Sequence, residues 1–71
     1  MVLQIRQERE RRKWTLEDVA KNIGVSKAAV HDIETGRRHP SYKVLVKLEN
    51  LFGKSHRQLF AVVDETNLSS K

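Results

Sequence analysis

Two short apolar-striped segments joined through one glycine, residues 16–35 (LEDVAKNIGVSKAAVHDIET), constrain this chain more than any other stretch. Leu16, Val19, Ala20 and Ile23 fall at i, i+3, i+4 and i+7, so they share one side of a helix. Thr15 precedes them as an N-cap, with Asp18 three residues on, a near capping box. Gly24 follows the last apolar residue, where the chain must turn through positive φ. Ser26 then caps a second segment, from Lys27 to about Thr35, which Gly36 ends. A unit of this kind holds two helices at a steep angle, with the second standing outward.

The rest of the chain parses as helices too. Leu3 and Ile5 give residues 2–12 an apolar start, and charge then takes over. Arg6 with Glu10 and Glu8 with Arg12 are i,i+4 opposite-charge pairs, each worth a few tenths of a kcal/mol. The run RQERERRK therefore reads as a solvated face; the sharper reading puts some of its cations near phosphates. Pro40 stops the third helix from continuing, and Ser41 caps a fourth. There Val44, Leu45, Leu48, Leu51 and Phe52 form the longest apolar stripe, ended by Gly53. Ser55 caps a fifth helix carrying Leu59, Phe60 and Val63. The prediction is an all-α fold: a compact five-helix domain over residues 1–64 and a polar tail over 65–71.

Composition narrows the function. A chain of 71 residues is one domain, and folds of this size bury roughly 60% of their surface, which disfavours a large pocket. With no cysteine there is no disulfide framework, thiolate nucleophile or Cys-based zinc site. The histidines His31, His39 and His56 lack metal-ligand spacing, so no cofactor or metal is expected. No apolar run approaches the roughly 18 residues of a membrane span. MVLQIRQERERRK is charged from Arg6 and lacks a signal-peptide core, so a cytoplasmic protein is expected. Lys and Arg number 14 against 9 Asp and Glu, a net charge of +5 that favours a polyanionic partner, although many small domains are basic merely for solubility.

The third helix divides into two faces. Val30 and Ile33, with Val25 just before them, point to the core; Lys27, Ala28, His31, Asp32 and Thr35 point away. The outward face suits base edges in a DNA major groove. Lys27 can donate to guanine O6/N7 or to a phosphate, Ala28 can meet a thymine methyl, and Asp32 can accept from cytosine N4. His31 can donate to a base or a phosphate. The helix N-terminus adds free N–H groups and partial positive charge. After the helix, Thr35, Gly36, Arg37, Arg38, His39, Ser41, Tyr42 and Lys43 gather hydroxyls, cations and free amides, the groups that phosphate contacts require.

With Ala20, Gly24, Val30 and Ile33 at its fifth, ninth, fifteenth and eighteenth places, the 20-residue unit resembles the helix-turn-helix signature. The following IETGRRHPS resembles the I-E-x-G-x-x-x-P-S run of the Cro/C1-type (XRE) DNA-binding domains. The resemblance covers about residues 5–60 and implies a lambda-repressor-like domain that binds near-palindromic operators as a dimer. Carried over by position, it puts Lys27, Ala28, Ala29, His31 and Asp32 at base-contacting places. Thr15 and Ser26 fall at caps that touch the sugar-phosphate backbone. Arg37, Arg38, Tyr42 and Lys43 match the phosphate-contacting loop, with Thr35 beside it. Arg9 and Glu34 match an internal salt bridge between the first and third helices. Five places depart from the family pattern. Leu16 replaces a glutamine that bridges phosphate and recognition helix, Lys13 a turn glycine, and Glu8 a core leucine. Lys54 replaces a common valine. Glu49 replaces a small packing residue, which implies a local polar contact or a rotated helix.

The leading expectation is thus a sequence-specific regulator, a small repressor of phage or mobile-element type. Leu59, Phe60, Val62 and Val63 provide apolar surface for a homodimer built on the fifth helix and the tail. The competing expectation is a protein-interaction module such as an antitoxin-like regulator. Enzyme chemistry is disfavoured: Ser26, His31 and Asp32 share one short exposed helix, where no third group orients a base and no cavity excludes water.

Overall fold

Leu3, Ile5, Ile23, Val30, Leu48 and Leu59, drawn from five separate stretches of sequence, close together into one apolar core. The computed structural model describes residues 2–63. Its order is β1 (Val2–Leu3), α1 (Gln4–Arg11), α2 (Leu16–Ile23), α3 (Lys27–Glu34), α4 (Tyr42–Phe52), α5 (His56–Leu59) and β2 (Val62–Val63). The fold is the expected helical one, with one addition. Residues 2–3 do not extend the first helix. They pair antiparallel with the other end of the described chain, Val2 opposite Val63 and Leu3 opposite Val62. The Gln4 N–H donates to the Ala61 carbonyl at 2.8 Å. For the same reason α5 is only four residues long, and Val63 lies in a strand rather than on the fifth helix. β-Branched valines suit that pairing, and Leu3 is buried by it. The boundary expected at residue 64 and the tail at 65–71 lie outside the described residues.

Local chemistry sets the helix ends. Thr15 Oγ1 accepts from the Asp18 N–H at 3.0 Å, and Asp18 Oδ2 accepts from the Thr15 N–H at 2.8 Å, a complete capping box. Those hydrogen bonds hold the Asp18 carboxyl below its ordinary pKa. Gly24 ends α2 at φ 74°, where a side chain would be strained. Ser26, Ser41 and Ser55 cap α3, α4 and α5 by accepting from Ala29, Val44 and Gln58. Lys13 takes φ 61° in the α1–α2 turn, at a cost on the order of 1 kcal/mol relative to glycine.

Three departures from the family pattern prove to be polar joints. Glu8 is buried where a core leucine is usual. It accepts from Arg12 Nη1 at 2.7 Å and Arg11 Nη1 at 3.2 Å, and Lys54 Nζ stands 3.9 Å away. Two of the substituted positions, 8 and 54, therefore answer one another. The Arg12 guanidinium lies 5.6 Å from the centre of the Trp14 ring and 5.2 Å from that of Phe52, and it donates to the Phe52 carbonyl at 2.9 Å. The Arg12 hydrogen bond holds the Glu8 carboxyl below the usual range; burial opposes it, and Arg11 and Lys54 reinforce it. Glu49 resolves in favour of a local contact. It accepts from the His56 backbone N–H at 2.6 Å and lies 3.0 Å from His56 Nδ1, which ties α4 to the start of α5.

Candidate nucleic-acid interface

α3 is held by one stripe and offers the other. Ala29 and Ile33, and Val30 and Glu34, are two i,i+4 pairs turned into the body, and all four are buried. Lys27, Ala28 and His31 are exposed, and Asp32 and Thr35 are half-buried. Ala29 is a correction to the expected base-contacting set. At 6% exposure its methyl is committed to the inner stripe beside Val30, and it has no surface for a base edge. Lys27, Ala28, His31 and Asp32 keep the outward placement read from the sequence.

The orientation of α3 is fixed by an ion pair that crosses the molecule. Arg9 Nε donates to Glu34 Oε2 at 2.7 Å and Nη2 to Oε1 at 3.3 Å, a forked arrangement. The third guanidinium nitrogen, Nη1, donates to the Trp14 carbonyl at 2.8 Å. One side chain thereby ties together α1, the α1–α2 turn and the end of α3. The pair implied by the family resemblance is present and structural.

Three hydroxyls in the expected phosphate set, those of Thr15, Ser26 and Thr35, have a definite hydrogen-bond state. Thr15 and Ser26 act as acceptors in their caps, which leaves each O–H proton free to point outward to a phosphate oxygen. Thr35 is different. Its Oγ1–H donates back to the carbonyls of His31 (3.0 Å) and Asp32 (3.3 Å), so the proton a phosphate needs is already engaged. The amides of the following loop are not free either. Gly36 N–H donates to Ile33, while Arg37 and Arg38 N–H both donate to the Asp32 carbonyl at 2.9 and 3.2 Å. The loop therefore offers side chains rather than backbone donors at these positions. Arg37, Arg38, Tyr42 and Lys43 are all exposed, Tyr42 by 80%. Among the described residues, none of Lys27, Arg37, Arg38 and Lys43 is held in a salt bridge. Leu16, where a bridging glutamine was usual, packs against the core instead. No helix among the described residues is long and apolar enough to cross a membrane.

Sequence reasoning misread one part of this frame. The run RQERERRK looked solvated, yet Ile5, Glu8, Arg9 and Arg12 follow the i, i+3, i+4, i+7 spacing and all face inward to some degree. The helical register of those charges was the available signal.

A helix-turn-helix family model matches residues 5–59. A curated relative, described as an uncharacterized HTH-type transcriptional regulator of Methanocaldococcus jannaschii, is 37% identical over 51 residues, which span 72% of this chain and 77% of the relative. No solved structure matches the chain. The family match runs from the first core residue of α1 through α5, with the buttressed outward helix at its centre. On those grounds the chain belongs to the Cro/C1-type (XRE) helix-turn-helix family.

Proposed function

We propose that this protein is a sequence-specific, double-stranded-DNA-binding transcriptional regulator that lays α3 in the major groove. The observation that carries the reading is α3 itself. Its inner stripe and the Arg9–Glu34 fork fix it to the body, and its outer stripe presents Lys27, Ala28, His31 and Asp32 beside the unpaired cations of the next loop. In this reading Lys27 and Asp32 discriminate base pairs through a donor and an acceptor, and Ala28 packs on a thymine methyl. Thr15, Ser26, Arg37, Arg38, Tyr42 and Lys43 set the register on phosphates and sugars. Few of these groups read bases in two-point fashion, so the shape of the duplex carries part of the discrimination. The regulatory mode is that of a small phage-type repressor, because occupying an operator requires only binding.

Selection of duplexes from a random library tests the assignment. Lys27→Ala and Asp32→Ala are expected to change the selected motif. Arg38→Ala is expected to weaken binding to every duplex alike and make the salt dependence shallower by about one unit of slope. A motif unchanged in both α3 variants overturns the assignment of those side chains.

The same reading includes a homodimer on a near-palindromic operator. A groove of about 430 Å³ opens between the loop after α3, α4, α5 and the two-stranded pair. Its apolar members are Leu3, Pro40, Leu45, Phe60 and Val62, and Val62 is 61% exposed. A second copy seated on these apolar members would set the separation of two recognition helices, roughly 34 Å for successive major grooves. Sedimentation is expected to show a dimer in the micromolar range that Val62→Asp converts to monomer. A monomer at high micromolar concentration, free and on DNA, overturns the dimer. Co-purification of a different chain at fixed stoichiometry would instead favour the antitoxin-like reading.

A further inference from the structure

We propose that the groove between the loop after α3, α4, α5 and the two-stranded pair is an effector site for a small apolar monocarboxylate, which releases the protein from DNA by engaging Arg38. The release rests on the DNA-binding reading; the ligand site does not. At about 430 Å³ the groove lies within the range of small-ligand pockets, roughly 300–1,000 Å³. Part of its wall is apolar without belonging to the core. Leu45 and Val62 line it, yet neither is in the core cluster nor among the side chains packed against that cluster. The groove is where their apolar surface lies.

The charge of the lining has one sign. Arg38, His39 and His56 are its ionisable members, and no Asp or Glu stands among them. His56 is tied to Glu49, 3.0 Å from Nδ1, so it brings no surplus charge. Arg38 and His39 are exposed, and neither is held in a salt bridge among the described residues. The loop that carries them is fixed from behind. The Arg38 N–H donates to the Asp32 carbonyl at 3.2 Å, and Pro40 restricts the backbone two residues on. A guanidinium presents a fork of donors that fits both oxygens of a carboxylate. An apolar tail against Leu45, Phe60 and Val62 with its carboxylate on Arg38 satisfies both halves of the lining at once. A neutral hydrocarbon leaves the cations unused, a cation meets like charge, and a small inorganic anion leaves the apolar wall wet.

Arg38 cannot serve two anions. In the DNA reading it contacts a phosphate, so a carboxylate held on it lowers affinity for the duplex. By linkage the duplex lowers affinity for the carboxylate by the same factor. A second copy of the chain in this groove is displaced as well, since both occupants cover Leu45 and Val62.

Octanoate is the probe, followed by amide chemical shifts of the DNA-free chain and by duplex affinity at constant ionic strength. Saturable shifts confined to the residues around the groove are expected. Octanol, which has the tail without the charge, should bind at least about tenfold more weakly, and octylamine not at all. Arg38→Gln should weaken octanoate binding about tenfold. Leu45→Asp should abolish it, and Leu45→Phe, which fills the groove without adding charge, should weaken it; the dispersion of the amide spectrum checks that each variant is folded. Octanoate should also weaken binding of the wild-type protein to its selected duplex. The site is overturned by shifts that do not saturate or that spread over all the helices, by octanol binding as tightly as octanoate, or by Arg38→Gln without effect. Octanoate held in the groove with duplex affinity unchanged overturns the release. If the ligand-free protein binds no duplex while the groove takes octanoate, the DNA reading fails and the site stands.

Discussion

Glu34→Ala is expected to cost about 3–5 kcal/mol of folding stability, the largest loss from any single exposed-looking charge in this sequence. Glu34 is 2% exposed, and the Arg9 side chain is 11% exposed. Removing the carboxylate would take the acceptor from Nε and Nη2, leaving only the half-exposed Glu10 carboxylate 4.0 Å from Nη2, while Nη1 still holds the Trp14 carbonyl. The penalty is the desolvation of that stranded charge rather than the worth of the pair. Against a total of about 5–15 kcal/mol for a small domain, such a loss leaves little reserve. Melting should fall by about 12–40 °C, since 1 kcal/mol shifts a domain of this size by about 4–8 °C. The double variant Arg9→Met, Glu34→Leu should recover much of the loss, because removing both charges removes the desolvation problem. Urea denaturation of the three variants checks this. A single-variant loss below about 1 kcal/mol would show that the fork does not hold α3, and the placement of the recognition face would then need another cause.

The second large effect concerns Glu8 and acid. Glu8→Ala should cost about 2–4 kcal/mol at neutral pH, near or below the range for breaking a buried pair, because Arg11 and Lys54 reach solvent and can rehydrate. The Glu8 carboxyl is held below the ordinary glutamate value of 4.5, first by the Arg12 hydrogen bond. The sign follows from linkage. Between the depressed folded value and 4.5, the unfolded chain binds more protons, so stability rises with pH across that window. The contribution is complete above 4.5 and is lost as pH falls through the folded value. Glu8→Gln should therefore lower stability at pH 7 and flatten the acid limb below 4.5. Asp18 and Glu49 are also held low, but their carboxylates face water and their contributions are screened. Denaturation series from pH 7 to pH 2 decide it. An acid limb equally steep in Glu8→Gln would assign the sensitivity to other carboxylates.

Glu8 and Arg12 also show where reading the sequence falls short. Both stand on the stripe that begins at Ile5, so their inward register was legible, but the groups that accept them were not. Arg12 reaches the Phe52 carbonyl 40 residues away, and Arg9 reaches Glu34 across 25. A solvated helix face and a buried charged joint look alike until the distant partner is in place. The Arg9–Glu34 pair was accessible only through the resemblance of two separated positions to a family. Ala29 failed for a related reason. Position in a motif put it among base-contacting residues, while packing put it on the inner stripe with Val30 and Ile33.

The amino-acid order alone determined where α2, α3 and α4 begin and end and where α5 begins. Caps at Thr15, Ser26, Ser41 and Ser55 and the positive φ at Gly24 and Gly53 depend on residues within a turn of one another. The outward face of α3 followed from its period for the same reason. Only the tertiary structure decided that Val2–Leu3 would pair with Val62–Val63, that α5 would stop at Leu59, and that Lys54 and the Phe52 carbonyl would meet the Glu8–Arg12 joint. Those outcomes are settled by contacts between segments far apart in the chain, whose free energy no local pattern encodes.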